Sequence, residues 1–251
     1  MNQYLNNREK SALKYYTGDI SGDNVFWDEQ KAYLVLNSLF YDGICTEKAR
    51  ASEGKFLNPA ILDDIDRLLD FYDNMFSAFC KCRAESNVSA YRVERFSDYA
   101  FIKQSEKTVS FTSTSTSGFL KEYRDRKGIT LMKFVIPVGT SCISMSEVLD
   151  VYTKSEEAEI LLPPFMNLNI TEIPVNDSEK SITDADGNMP VVSCIAECGE
   201  WCISERKKNI SADGAKAGQR IYTALNNGEN PCDDDIKLYC EWKKLFCELY
   251  L

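Results

Sequence analysis

Glu157-Ala158-Glu159-Ile160-Leu161-Leu162-Pro163-Pro164 passes from two acidic residues into an apolar run that two prolines stop. A short apolar run bounded by turn residues reads as a buried strand. Side chains alternate along a strand, so Glu157 and Glu159 would flank Ala158 and project from the same face. Two carboxylates then share one pocket. Such a pair suits chemistry in which positive charge develops on a sugar carbon, because a fixed carboxylate stabilises an oxocarbenium ion better in a dry cleft than in water. An acidic strand entry lying in solvent fits the same residues, since Ser155-Glu156-Glu157 is also a common surface composition.

The segment from about 88 to 200 is built of similar pieces. Val88 to Phe96, Val109 to Thr114, Thr130 to Val138, Leu168 to Ile173 and Met189 to Ala196 are short, rich in β-branched and aromatic residues, and separated by Gly, Pro, Asp and Ser turns. Before them the period is helical. Ser11 to Tyr16, Trp27 to Phe40 and Ile61 to Tyr72 carry apolar residues at three- and four-residue spacing, the last after a Pro59 start signal. These helices need a surface to pack on, and the sheet formed by the next segment is the expected one. After about 203 the chain is amphipathic again. Tyr239, Trp242, Leu245, Phe246 and Leu249 fit one helical stripe, which reads as a packed terminal helix, with a partner-binding element as the alternative.

Helices first and strands afterwards argue for an α+β protein rather than an alternating parallel sheet. The expected organisation is an N-terminal helical region over 1–85, a β core over 86–202 that forms one domain with it, and a C-terminal helical extension over 203–251.

Composition narrows the chemistry. The 251 residues include no histidine, which excludes Ser-His-Asp and Cys-His catalysis and any His-ligated metal. Carboxylates, Arg, Lys, hydroxyls and thiols remain. Apolar residues make up 44%, enough for one sizeable core with or without a small accessory domain. No apolar stretch approaches the ~20 residues that span a bilayer, and Met1-Asn2-Gln3-Tyr4-Leu5 lacks the basic-then-apolar layout of a secretory signal. The expectation is a protein without a cleaved signal, cytoplasmic as made. A formal charge of −10 argues against a general nucleic-acid binder, because phosphate neutralisation needs clustered cations. The ten cysteines are not arranged as a disulfide scaffold. Cys194, Cys198 and Cys202 would share a face on a helix as a thiolate metal site, but no paired Cys-x-x-Cys hook occurs and packing as small apolar residues is the preferred reading.

Two further features accompany the acidic pair. Ala90-Tyr91-Arg92-Val93-Glu94-Arg95-Phe96 places Arg92 in a strand-like segment, where a planar guanidinium is suited to gripping a diphosphate in fork geometry; Arg95 competes for that role, and a surface Arg on an edge strand fits as well. In Ser110-Phe111-Thr112-Ser113-Thr114-Ser115-Thr116-Ser117, alternation puts Ser113, Ser115 and Ser117 on one face and the threonines on the other, so one face can hydrogen-bond a ribose or a carboxylate. A Ser/Thr-rich edge strand or linker reads the same way.

The order Arg, Phe-x-Ser-Thr-Ser, Glu-x-Glu resembles the Arg/Ser/Glu class of mono-ADP-ribosyltransferases. Ala12-Leu13-Lys14-Tyr15-Tyr16-Thr17-Gly18, the helix ending near Phe71, and Gly128 to Pro137 resemble the bacterial toxin branch of that class, so the likeness covers about residues 8 to 175. It departs at Val93, where the family usually has Gly, and after about 205. The resemblance implies a mixed, mostly antiparallel β core of the ADP-ribosyltransferase type. It implies NAD+ as co-substrate, nicotinamide as leaving group and no metal. In that scheme Arg92 binds the diphosphate, Ser113 orients the ribose, and Thr114 and Ser115 support the site. Glu159 bonds the ribose 2′-hydroxyl and stabilises the oxocarbenium, and Glu157 engages the acceptor nucleophile. A Glu at that place is associated with arginine acceptors, with Ser or Thr hydroxyls as alternatives. Tyr152 would be the aromatic contact of the substrate loop. The partner is a target protein, with an immunity protein as a further possible partner of an effector or toxin delivered into another cell. Water as acceptor would make the protein a NAD glycohydrolase. A catalytically dead binding module and a separate binding function in the Cys-rich tail are the rival readings.

Overall fold

The computed structural model describes residues 5–17, 33, 36–37, 39–40, 62–116, 129–149, 158–174, 192–203 and 210–250. In chain order its elements are α1 (Asn7–Thr17), α2 (Ile65–Lys81), β1 (Val88–Arg95), α3 (Phe96–Ser105), β2 (Thr112–Ser115), β3 (Ile129–Ile136), β4 (Ile143–Ser144), α4 (Met145–Val148), β5 (Glu159–Leu162), β6 (Leu168–Ile173), β7 (Val192–Cys198), α5 (Ala212–Asn226) and α6 (Asp233–Glu248). They fall into two compact units, one of Met1–Leu5 with Ala78–Trp201, the other of Asn6–Ser77 with Cys202–Leu251.

The first unit is built on a seven-stranded sheet in the order β4-β5-β2-β1-β3-β7-β6. Only β3 and β7 run parallel; every other pair is antiparallel. The class is α+β, as the order of helical and strand-like segments led us to expect, and the sheet is mixed and mostly antiparallel, as the resemblance implied. β3 is mostly apolar because it is a central strand with one face fully covered: Met132, Phe134 and Ile136 are buried on that face and Leu131 on the other, where Lys133 and Val135 are half-buried. β6 lies at an edge, and half of its residues face water. β1 stops at Arg95, where α3 begins, a helix that periodicity did not reveal; its Tyr99 and Ile102, three residues apart, are buried.

The second unit is helical. Asn6 and Glu9 cap α1 reciprocally, the Glu9 N–H donating to Asn6 Oδ1 at 2.9 Å and the Asn6 N–H to Glu9 Oε2 at 2.8 Å. α2 starts at Ile65 rather than near Pro59, because Asp64 accepts from the Arg67 N–H at 3.1 Å. The apolar face of α2 finds partners in the C-terminal helix α6 and the residues just after it. Tyr72 meets Phe246 at 4.7 Å and Phe76 meets Tyr250 at 4.4 Å between ring centroids. Tyr72 is fully buried, donates to the Leu36 carbonyl at 2.7 Å, and has its phenol pKa pushed well up by desolvation.

α5 and α6 pack closely because α5 offers glycines where α6 offers aromatic rings. A Cβ at Gly214 would overlap the Trp242 side chain, and one at Gly218 would meet Tyr239 and Leu62. Of the expected terminal stripe, Tyr239, Trp242, Phe246 and Leu249 are buried at three- and four-residue spacing, while Leu245 is 53% exposed. One residue before Phe246 it is rotated off the seam, and with Leu238 it lines an open cavity of about 450 Å³ beside Gly214 and Trp242.

Candidate active site

The sheet order brings together the three strands that carry the sequence-predicted polar residues. β5, β2 and β1 are consecutive, so residues 159, 115 and 91 lie in one cross-strand row: Glu159 pairs with Ser115, and Ser115 pairs with Tyr91. Paired residues share a face, which sets the Ser115 hydroxyl beside the Glu159 carboxylate. Ser113 lies two residues along the same face of β2, opposite Leu161. Glu159 is 6% exposed although it opens its strand.

β2 follows the expected alternation. Thr112 and Thr114 are buried, while Ser113 and Ser115 are half-buried on the other face. Thr114 donates from Oγ1 to the Ile160 carbonyl at 2.7 Å, and Thr112 to the Ser110 carbonyl at 2.9 Å. In this structure Thr114 therefore serves the pairing of β2 with β5.

Arg92 follows Tyr91 on β1, so alternation sets it on the face opposite the row, and its guanidinium is drawn across to the neighbouring strand. Nη1 donates to the Ser113 carbonyl at 2.8 Å and Nε to Glu94 Oε1. Glu94 is two residues along the same face of β1 and nearly buried, so the ion pair holds the guanidinium in a partly dry setting while a third of the Arg92 side chain stays exposed. Opposite Glu94 on β3 is Thr130, fully buried, whose Oγ1 has no hydrogen-bond partner among the described residues. Glu94 was not singled out from sequence; an acidic residue two positions from a strand Arg is the signal that would have found it.

The strand that carries Glu159 does not run back through Ala158. β5 begins at Glu159, and Ala158 has φ 44, in the left-handed region. That conformation costs a residue with a Cβ roughly 1–2 kcal/mol and interrupts two-residue alternation, so the shared face expected for Glu157 and Glu159 does not follow from the backbone. Glu157 itself, Tyr152 and Ser117 lie outside the described residues. The Ala158 carbonyl accepts from both the N–H and the Oγ1 of Thr116, each at 3.2 Å.

The far end of β5 is equally tied down. Thr108 Oγ1 donates to the Pro163 carbonyl at 2.6 Å and accepts from the Met166 N–H at 2.9 Å, while Trp201 Nε1 donates to the Pro164 carbonyl at 2.8 Å. Phe165 between them has φ 64. Proline carbonyls thus take the donors of a threonine and a tryptophan, which hold the turn after Leu162.

Of the three cysteines read as a possible metal site, two lie elsewhere in the sheet. Cys194 and Cys198 are on β7, so their four-residue spacing reflects a strand face and not a helical one, and both are buried. Cys202 is exposed beyond the strand. Among the described residues no group of three or more Cys, Asp or Glu could hold a metal ion. Burial pushes the thiols of Cys142, Cys194 and Cys198 up to about 12. At pH 8 their thiolate fraction, and hence their alkylation rate, should be ~10³-fold below that of ordinary thiols. Brief iodoacetamide treatment of the native protein followed by peptide mass mapping should therefore label Cys202 and Cys232 and spare those three. Equal labelling would mean that the sheet opens readily.

No protein-family model matches this sequence, and no curated protein matches it. Solved structures that align with it include the C3 exoenzyme of Clostridium limosum, at 14% identity over 78% of this chain and 87% of that one with a TM-score of 0.47. A protein from S. aureus, solved with NAD, aligns at 13% identity over 78% and 88%, with a TM-score of 0.48. Vis toxin, an ADP-ribosyltransferase from Vibrio splendidus, aligns at 16% identity over 78% and 75%, with a TM-score of 0.45. These scores describe a loose likeness of architecture.

Proposed function

We propose that this protein is a NAD-dependent mono-ADP-ribosyltransferase that modifies a protein side chain, with arginine as the acceptor. The observation that carries the reading is the placement on adjacent strands: a nearly buried Glu159 beside Ser115, with Ser113 on the same face, and one strand away, next to Tyr91 of that row, Arg92, whose guanidinium bonds the β2 backbone. The donor set fits the co-substrate. A guanidinium suits a diphosphate, hydroxyls suit a ribose, and a carboxylate in a dry position suits a cationic sugar.

In the reaction the bond between C1′ of the ribose and the nicotinamide nitrogen breaks, and its electron pair leaves with neutral nicotinamide. Positive charge spreads over C1′ and the ring oxygen. Glu159 is the group that stabilises this charge and holds the 2′-hydroxyl, and Ser113 and Ser115 keep the ribose and the carboxylate in register. Arg92 holds the diphosphate, with Glu94 and the Ser113 carbonyl limiting its rotamers. Glu157 orients the acceptor guanidine and receives its proton as the new C1′–N bond forms. Tyr152 contacts the protein substrate. An effector or toxin acting inside another cell, with an immunity protein as its antidote, is the biological setting in this reading.

The test is release of nicotinamide from NAD by the purified protein, with mass spectrometry of labelled lysate proteins to identify the acceptor. In the same assay Arg92→Lys should raise KM for NAD by about tenfold, because one ammonium cannot reproduce bidentate contacts to a diphosphate. Wild-type protein that neither binds nor cleaves NAD would refute the proposal.

A further inference from the structure

Buried polar atoms nearly always find a partner in a folded protein, and one that does not calls for a reason. Thr130 is 0% exposed, and its Oγ1 has no hydrogen-bond partner among the described residues. It stands directly opposite Glu94 in the ladder between β3 and β1. Residues paired in this way share a face with their Cβ atoms ~4.5–5.5 Å apart, within the reach of a glutamate side chain. The Glu94 carboxylate is nevertheless turned along its own strand to Arg92, whose Nε donates to Oε1. Glu94 thus uses a partner beside it on β1 and leaves unused a hydroxyl across from it on β3.

From this we infer that Thr130 is a positioning residue, which receives the Glu94 carboxylate when an anion takes over the Arg92 guanidinium. The inference rests on the role proposed above for Arg92, the binding of the diphosphate. A diphosphate that reaches Arg92 meets a guanidinium already paired with a nearly buried carboxylate. If Glu94 stayed in place, two anions would face one cation in a partly dry setting, where like charges repel more than in water. If it turned away to no donor, a buried charge would be left without a partner, which is costlier still. The Thr130 hydroxyl answers both difficulties. It donates to the departing carboxylate in a charge-assisted bond and is itself satisfied. The Ser113 carbonyl keeps its bond from Nη1 at 2.8 Å, so the guanidinium stays beside β2 while its Nε turns to the anion. Glu94 limits the rotamers of Arg92 before the diphosphate arrives, and the Ser113 carbonyl does so afterwards.

The test uses ADP-ribose, which carries the diphosphate and lacks nicotinamide, titrated calorimetrically into the intact protein. Thr130→Val keeps the outline of the side chain and removes the hydroxyl, whereas Thr130→Ser retains it. Without ligand, Thr130→Val should raise Tm by about 2–4 °C, because an unpaired buried hydroxyl is lost. The same variant should bind ADP-ribose about fivefold more weakly, the equivalent of one hydrogen bond, and Thr130→Ser should bind as wild type does. In turnover of NAD the change should appear as a higher KM at a kcat within about twofold of wild type. Glu94→Ala removes the acceptor, and in that background Thr130→Val should alter affinity by less than about twofold. A lowered Tm for Thr130→Val would overturn the inference, because the hydroxyl would then have a partner in the free protein. Unchanged ADP-ribose affinity would overturn it as well, as would a fivefold loss in the Glu94→Ala background. Loss of ADP-ribose binding in Glu94→Ala alone would do the same, since the carboxylate would then be needed on Arg92 in the bound state. Wild-type protein that does not bind ADP-ribose would instead remove the diphosphate role of Arg92, and with it the proposed function.

Discussion

Glu159→Gln is expected to lower nicotinamide release about 100- to 1000-fold, the loss typical of removing one preorganised charge from a transition state. The amide keeps the size and shape of the carboxylate at a position only 6% exposed, so the strand and its pairing with Ser115 should persist. What disappears is the negative charge beside the developing oxocarbenium. NAD should still bind, because Arg92, proposed for the diphosphate, and Ser113, proposed for the ribose, are unchanged. The check is a paired measurement of NAD affinity and turnover on one preparation whose circular dichroism matches wild type. Turnover above a tenth of wild type would remove Glu159 from the centre of the mechanism.

Gly214→Ala should have the largest effect on stability. Alanine is the better helix former by about 1 kcal/mol, so propensity alone predicts a gain. Packing opposes it, since the new methyl would occupy space held by Trp242. Trp242 has little room to yield: its Nε1 donates to the Ser211 carbonyl at 2.8 Å, and its ring stacks on Tyr239 at 5.9 Å and Phe246 at 5.6 Å. Overpacking of this kind costs ~1–3 kcal/mol or more, and a net loss of about 2 kcal/mol should lower Tm by roughly 4–8 °C in a chain of this size. Thermal melting followed by circular dichroism decides the sign. A raised Tm would show that α5 and α6 can move apart at no cost.

Elements with strong local signatures were legible in the sequence. β3 reads as a strand from its unbroken apolar run, β5 from the run between Glu159 and the prolines, and α2 from its amphipathic repeat. α3 was not, because its apolar residues form no clean stripe and it follows β1 without a turn signal. Pairing partners were also beyond reach. Nothing local in residues 11–72 distinguishes a helix that rests on a sheet from one whose rings meet Phe246 and Tyr250. In the candidate site, the lines containing Arg92, Ser113, Ser115 and Glu159 could be picked out because polar residues stand out on strands. The conformation of Ala158 could not, since Glu-Ala-Glu contains no glycine to announce a positive φ. Thr116 and Glu94 matter through the atoms they touch, which a spacing rule does not encode.

The two-part makeup of the helical unit bears on how the protein is born. Tyr250 donates to Asp73 at 3.0 Å across 177 positions of chain, and the same C-terminal stretch supplies the rings that cover Tyr72 and Phe76. During synthesis α2 emerges before the strands of the sheet, with its aromatic face bare, and that face must wait until α6 arrives. Contacts of such long range close slowly, and the exposed interval is the time in which a nascent chain is open to chaperones and to aggregation. A chain interrupted before α6 would lack the rings that cover Tyr72 and Phe76 and would present that face to solvent.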